Sequence, residues 1–537
     1  MSRFVQLLPI FGLCAILTAC GQGGNKGGPM VAGGAREAGD GNPMTPPPGG
    51  GKVGDPKTAD KTADKAKAEA YDHIVENAYR AAAVTPRATF SADVNTASYS
   101  NIRRFLNEGK LPPRDAVFLA EMVNYFPYQY TEPKDDAPVS LTLDLAPCPW
   151  NPEHKLARVG VKARTLAPHE APRRNLVFLI DVSGSMSNEN RLPLVKKSIE
   201  LLVDRLTAAD RVSIVTYAGD AGLKLPATSG DNKGRILEVV RSLTAGGGTN
   251  GEGGIRLAYE TARRNFIDGG ANRVVLCTDG DFNVGQSNES ELIQLIEKER
   301  ASRVYLTILG YGMGNVKDGM LHKLATHGNG HYAYIDTLQE ARKVFVEQGG
   351  TLVCVAKDVK FQVDFNPAKV NAYRLIGYEN RLLKEEDFRD DTKDAGDMGS
   401  GHTVTALFEI VPVGVKIDLP KVDPPAFQPK SQPGTTATDW LKVTMVYKHP
   451  DGNVSKDLAA MMPENAETAM TDDFRFAAAV AEFGLVLRDS PHKGNATLGD
   501  VMARAGGAVT YDPNGHRKEF LDLVRKAISL KDQQKKE

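Results

Sequence analysis

The chain has 537 residues, 41% hydrophobic and 25% charged, with 66 Lys+Arg against 67 Asp+Glu. That length corresponds to roughly three domains, and a formal net charge of −1 excludes a dominant electrostatic partner such as nucleic acid or an anionic membrane surface. Five cysteines exclude a disulfide scaffold, and beyond the N-terminus there is no run of about 18 apolar residues to span a bilayer.

Residues 1–20 read MSRFVQLLPIFGLCAILTAC. Arg3 precedes an apolar stretch from Phe4 to Ala19, the pattern of a secretory signal. The stretch ends Leu17-Thr18-Ala19-Cys20 with Gly21 following, which resembles a bacterial lipobox. The resemblance implies a lipoprotein whose signal peptide, residues 1–19, is removed and whose Cys20 is acylated, for example with palmitate. Gly21 in place of Asp directs the expectation to the outer membrane of a Gram-negative envelope. Acyl chains at ~0.8 kcal/mol per buried CH₂ hold such a protein to the lipid bilayer without a spanning helix. Residues 20–84 then form a tether: positions 21–70 hold 13 Gly and 6 Pro and no aromatic residue, too little apolar surface to offset the entropy of ordering. The KTAD tetrads at 57–60 and 61–64 are expected to begin a helix running to about Arg80.

Folded sequence is expected from about residue 85. A helix follows Asn95-Thr96, Pro112-Pro113 break it, and a second helix carries Val117, Phe118, Met122 and Tyr125. Residues 139–147 and 156–163 alternate as strands. From 174 to 348 strands and helices alternate. Leu176–Ile180 is apolar throughout, as a strand buried on both faces of a parallel sheet requires. Strands are expected at Arg211–Tyr217, Leu223–Leu225, Arg273–Cys277, Arg303–Leu309 and Tyr332–Ile335. Helices are expected at Leu192–Leu206, Lys233–Leu243, Gly251–Phe266, Glu289–Arg300, Lys317–Ala325 and Gln339–Val346. Repeated βα units make an α/β fold, a doubly wound and mostly parallel sheet that takes ligands at the carboxyl ends of its strands. After 350 the pattern returns to strands (Leu352–Val363, Ala372–Ile376, Thr403–Val411, Leu441–Tyr447) separated by polar loops at 389–401 and 419–435. Helices close the chain at Asp473–Leu487, Leu498–Ala503 and Arg517–Ile528. Strands before 165 and after 350 are expected to build one β-rich domain from both flanks, residues 85–173 and 349–537, around the α/β unit.

Three segments fall at the ligand-binding edge of that sheet. They are Asp181-Val182-Ser183-Gly184-Ser185-Met186, Gly246-Gly247-Gly248-Thr249-Asn250, and Thr278-Asp279-Gly280. Two carboxylates and three hydroxyls suit a hard cation, Mg²⁺ above all, with Mn²⁺ or Ca²⁺ as substitutes. Neutral hydroxyls leave such a metal electrophilic and in need of an external anionic oxygen. The bland alternative, Asp181 or Ser183 capping a helix start, requires neither Thr249 nor Asp279.

Over residues 174–348 these motifs resemble the von Willebrand factor A domain, a Rossmann-like fold. The resemblance implies a metal-ion-dependent adhesion site with Ser183, Ser185 and Thr249 as hydroxyl ligands and Asp181 and Asp279 as carboxylates. FSADVNTASYSNIRRFLNEGKLPPRDAV (90–117), VNYFPY (123–128), CPWNPEH (148–154) and FNPAKVNAYRLIGYENR (365–381) are similar to bacterial YfbK-type lipoproteins. This second resemblance implies an architecture: an N-terminal von Willebrand-associated segment, the A domain and a C-terminal domain. The adhesion-site and lipobox resemblances imply a non-enzymatic, membrane-anchored protein-binding module of the cell envelope, for adhesion or scaffolding, whose metal captures an acidic residue of an envelope protein. The competing reading is a metal-dependent hydrolase of the envelope. His322, His327 and His331 lack the spacing of a zinc helix and are expected on the surface or in turns. Asp281 is expected to be solvated, Cys277 a small buried hydrophobe, and Cys148 and Cys354 a disulfide only if their strands adjoin.

Overall fold

The structure is a computed structural model that describes residues 71, 73–92, 95–167, 169–248, 250–280, 289–312, 318–391, 393, 395–419, 438–450 and 452–534. The lipobox with Cys20, the tether to residue 70, Thr249 and Asp281 lie outside the described residues. Among the described residues no helix is long and apolar enough to cross a membrane.

The strands, in chain order, are β1 (Arg80–Ala81), β2 (Arg87–Ser91), β3 (Val139–Pro147), β4 (Lys155–Ala163), β5 (Arg174–Asp181), β6 (Arg211–Tyr217), β7 (Ala221–Ser229) and β8 (Ala271–Thr278). They continue with β9 (Tyr305–Tyr311), β10 (Tyr332–Ile335), β11 (Cys354–Phe365), β12 (Val370–Ile376), β13 (Gly396–Gly399), β14 (Thr403–Pro412), β15 (Leu441–Lys448) and β16 (Ser455–Met462).

The α/β unit is a six-stranded sheet in the order β10-β9-β8-β5-β6-β7, parallel except for the edge strand β7. The apolar run of β5 explains its central place: Leu176, Phe178 and Ile180 enter the core on one face while Val177 and Leu179 enter the core on the other, and all five are fully buried. The chain runs from β5 outward through β6 and β7, then returns to place β8 on the opposite side of β5. The order therefore reverses between β5 and β8, the switch point at which the carboxyl ends of neighbouring strands diverge.

The flanks build a β-sandwich. One antiparallel sheet has the order β1-β12-β14-β4-β3; the other runs β13-β11-β15-β16 with β2 paired to β11. Each contains strands from both sides of the α/β unit, and one apolar core joins Val159 and Phe408 of the first sheet to Phe361 and Val443 of the second. Residues 71 and 73–79 carry no helix, and β1 pairs antiparallel with β12, so the helix expected to reach Arg80 is corrected here: the chain is already sheet-bound there. The loop expected at 389–401 contains β13.

The last helices, Asp472–Arg488, Leu498–Gly506 and His516–Gln534, pack on the first two, Ala97–Asn107 and Leu119–Asn124, around Phe126, Phe476, Phe483 and Phe520. Polar groups join this bundle to the α/β unit. Arg103, 1% exposed, pairs with Asp336 just beyond β10, with Glu340 at 2.7 Å and with Glu519 at 3.1 Å, while the Tyr125 hydroxyl donates to Glu340 at 2.7 Å.

Candidate metal centre

Asp181 is the last residue of β5, paired in register with Tyr217 at the end of β6, and Asp279 stands one residue beyond β8. Parallel pairing thus brings both carboxylates to the switch point. Asp181 is fully buried. It accepts the Ser183 backbone N–H at 2.9 Å and the Tyr217 hydroxyl at 3.0 Å. Burial pushes its pKa up to about 6, against those hydrogen bonds and with the Asp279 charge adding to the rise. A buried carboxylate held this far from its ordinary range is one that an added cation would relieve.

The turn after β5 presents the hydroxyls. Ser183 is extended, a single 3₁₀ turn begins at Gly184, and the Ser183 and Ser185 Oγ atoms stand 3.0 Å apart, Ser185 being exposed. Two backbone bonds lace this turn to the glycine-rich loop: Gly184 N–H donates to the Gly247 carbonyl at 3.1 Å and Gly246 N–H to the Val182 carbonyl at 2.8 Å. Gly247 has φ +85°, a conformation that glycine adopts without strain. The lacing brings the glycine loop, whose continuation is Thr249, alongside the serine turn. Asn250 then caps helix Gly251–Arg264 by accepting the Gly253 N–H. That helix seats closely: a Cβ at Gly254 would lie 2.8 Å from the Cβ of Tyr217.

Asp279, 1% exposed, receives Arg191 Nη1 at 2.7 Å. Neither Arg191 nor Tyr217 belongs to the site as read from the sequence. Tyr217 had a signal, a polar-tipped aromatic at the end of the strand expected at Arg211–Tyr217; Arg191, in the lead-in to a helix, had none. Asp181, Ser183, Ser185 and Asp279 therefore share one edge. The donors are all oxygen, two of them buried carboxylates, and this set fits a hard divalent cation.

The histidines go elsewhere. His322 is 7% exposed, bonded to the Asn95 side chain at 2.8 Å and 3.4 Å from Glu121; the expected surface position is overturned, because its helix packs on the first segment of the chain. His327 ends that helix and pairs with Glu297 at 2.8 Å, and burial lowers the pKa of His331 to about 4. Among the described residues no three His, Cys, Asp or Glu side chains form a metal cluster. Cys148, Cys277 and Cys354 are free thiols: Cys148 follows β3 of one sheet and Cys354 opens β11 of the other. Cys277 is buried in mid-sheet as expected. Asp364 is paired with Arg87.

Family models agree with this architecture. One for a von Willebrand factor region matches residues 65–158, one for the von Willebrand factor type A domain matches 175–347, and one for the C-terminal region of the uncharacterized protein YfbK matches 350–530. The magnesium-chelatase 60 kDa subunit of Rhodobacter capsulatus is 30% identical over 194 residues, 34% of each chain. A solved von Willebrand factor type A structure from Catenulispora acidiphila is 16% identical with TM-score 0.42, covering 74% of this chain and 92% of that one. The uncharacterized protein YfbK of Escherichia coli (strain K12) is 43% identical over 471 residues, 86% of this chain and 81% of that protein. With a type A domain set between two flanks that share one sandwich, the chain belongs to the YfbK family.

Proposed function

We propose that the chain is a metal-dependent protein-binding module held at the cell envelope by an acylated Cys20, and that it captures an acidic residue of an envelope protein. The observation that supports this reading is that a fully buried Asp181 and an exposed Ser185, whose Oγ stands 3.0 Å from that of Ser183, come from the same strand end at the switch point of the sheet. Asp181, Ser183, Ser185, Asp279 and, from the sequence, Thr249 would hold the cation, Mg²⁺ or in its place Mn²⁺ or Ca²⁺. Bound there, it would supply a Lewis-acidic positive charge able to ligate a carboxylate from outside. The chain's own groups fix the donors: Tyr217 and the Ser183 amide orient Asp181, the glycine loop braces the serine turn, and Arg191 orients Asp279.

Calorimetry of the full chain with Mg²⁺ tests the reading: one site is expected, abolished by Asp181→Ala, and equal binding by that variant would sink it. Capture of a partner from envelope extract is expected to be lost with EDTA and with Thr249→Ala. Turnover of an ester or peptide lost with Asp181→Ala, without a stable partner, would instead favour the hydrolase. For the anchor, Cys20→Ser is expected to leave an unprocessed precursor that takes up no labelled palmitate.

A further inference from the structure

Arg191 is a cation built into the candidate metal centre. It is 8% exposed and immediately precedes helix Leu192–Val203. One nitrogen, Nη1, donates both to the Ser185 carbonyl of the serine turn and to Asp279 Oδ2, each at 2.7 Å. Its stem lies against Gly312, just past the end of β9, which has φ +85° and where a Cβ would stand 2.3 Å from Arg191 Nε. Three loops at the carboxyl edge of the sheet thus close around one guanidinium, and any side chain at position 312 would displace it.

We propose that Arg191 acts as a resident counter-cation of this centre, engaging one oxygen of Asp279 so that the metal is held more weakly and the loaded site carries surplus positive charge toward an incoming carboxylate. This rests on the reading that Asp181, Ser183, Ser185 and Asp279 hold a metal. The charges decide the direction. Two carboxylates alone would neutralise a divalent cation fully, whereas with Arg191 present the loaded site keeps a net charge of about +1, in surroundings where charges a few ångströms apart interact strongly. Arg191 is a positioning residue in this scheme: it touches a ligand of the metal and not the metal's partner. A guanidinium suits the place because it cannot discharge by losing a proton and is weakly hydrated, so it remains charged when buried.

The test is Mn²⁺ alone, titrated calorimetrically into the full-length parent, Arg191→Lys and Arg191→Met, with thermal unfolding of each in EDTA and in saturating Mn²⁺. Arg191→Met is expected to bind Mn²⁺ about tenfold more tightly than the parent, a difference of about 1.4 kcal/mol. Its melting temperature is expected to fall below the parent's in EDTA, where Asp279 is left buried without its cation, and to recover most of the gap in Mn²⁺. Arg191→Lys, which keeps the charge, is expected to bind as the parent does. If Arg191→Met binds no more tightly, or is destabilised equally with and without Mn²⁺, or fails to fold in both, Arg191 is a structural tie and the proposal falls. A parent that binds no Mn²⁺ overturns the metal reading itself, and this role with it; a parent that binds while Met and Lys variants match it overturns the role alone.

Discussion

Two buried carboxylates, one in each half of the molecule, are treated in opposite ways. Glu409 on β14 lies 1% exposed inside the first sheet of the sandwich. It receives His154 at 2.7 Å, Arg374 at 2.9 Å and the Trp150 indole N–H at 3.1 Å. Burial alone would push it up, but the His154 hydrogen bond and the Arg374 charge outweigh that and hold it at about 2. Asp181 is as deeply buried, yet neutral donors are all that its hydrogen bonds supply, and it rises to about 6. The first carboxylate is satisfied and ties strands together. The second is underserved, and the deficit sits at the open edge of a sheet, where a cation can arrive. Degree of burial does not separate these two acids; the charge of their partners does.

The largest expected effect comes from removing the satisfied acid. Glu409→Gln leaves Arg374 buried without its partner and is expected to lose about 3–5 kcal/mol of stability, measured by urea unfolding. Asp181→Asn in EDTA is expected to lose less than about 1 kcal/mol, since it relieves a buried charge whose pKa is already raised. Equal losses would break the contrast. Next comes pH. Glu409 has a folded pKa below its unfolded value, so its contribution of about 3 kcal/mol is present above pH ~4.5 and lost as pH falls toward ~2. Stability measured across that window is expected to drop in the parent and to stay flatter in Glu409→Gln. Asp181, raised, tilts the profile the other way between about 4 and 6.

Metal then sharpens the same comparison. At about 100 times its dissociation constant Mg²⁺ is expected to stabilise the parent by about 2.7 kcal/mol and Asp181→Asn not at all, while Glu409→Gln keeps the full increment. The smallest expected change is at Ser185, an exposed residue. Ser185→Ala is expected to shift stability by no more than about 0.5 kcal/mol while weakening Mg²⁺ binding. At this edge function and stability would thus come apart.

The α/β sheet was legible because its parallel strands are largely buried and apolar and its helices keep a separate period: Tyr332–Ile335 falls where the pattern places it, and Arg211–Tyr217 likewise. The strands β2, β13 and β16 were not. RATFS and GDMG are only five and four residues long, and SKDLAAMM sits at an edge with its first residues polar and half of its residues exposed, so none of the three carries a long apolar alternation. The joining of the first and last helices into one core involves residues more than 300 positions apart, a contact that no local pattern encodes. At the candidate centre the oxygen donors form motifs and could be read. Tyr217 and Arg191 act across strands and turns, and their roles exist only once the sheet is assembled.

The Arg103 hub has a mechanical consequence. The A domain enters its sheet at the start of β5 and leaves after its last helix, but Arg103 grips Asp336 immediately past the carboxyl end of β10, the same edge of the parallel sheet on which Asp181 stands. A pull on anything held at that edge would therefore reach the helical bundle through Arg103, Glu340 and Glu519 as well as through the peptide chain. Such a link shares load between a covalent and a noncovalent path. It also means that a segment cut at 174 and 348 would lose Arg103 and Tyr125, the partners of Glu340, and with Tyr125 the ring over which the Lys343 ammonium sits at 3.1 Å.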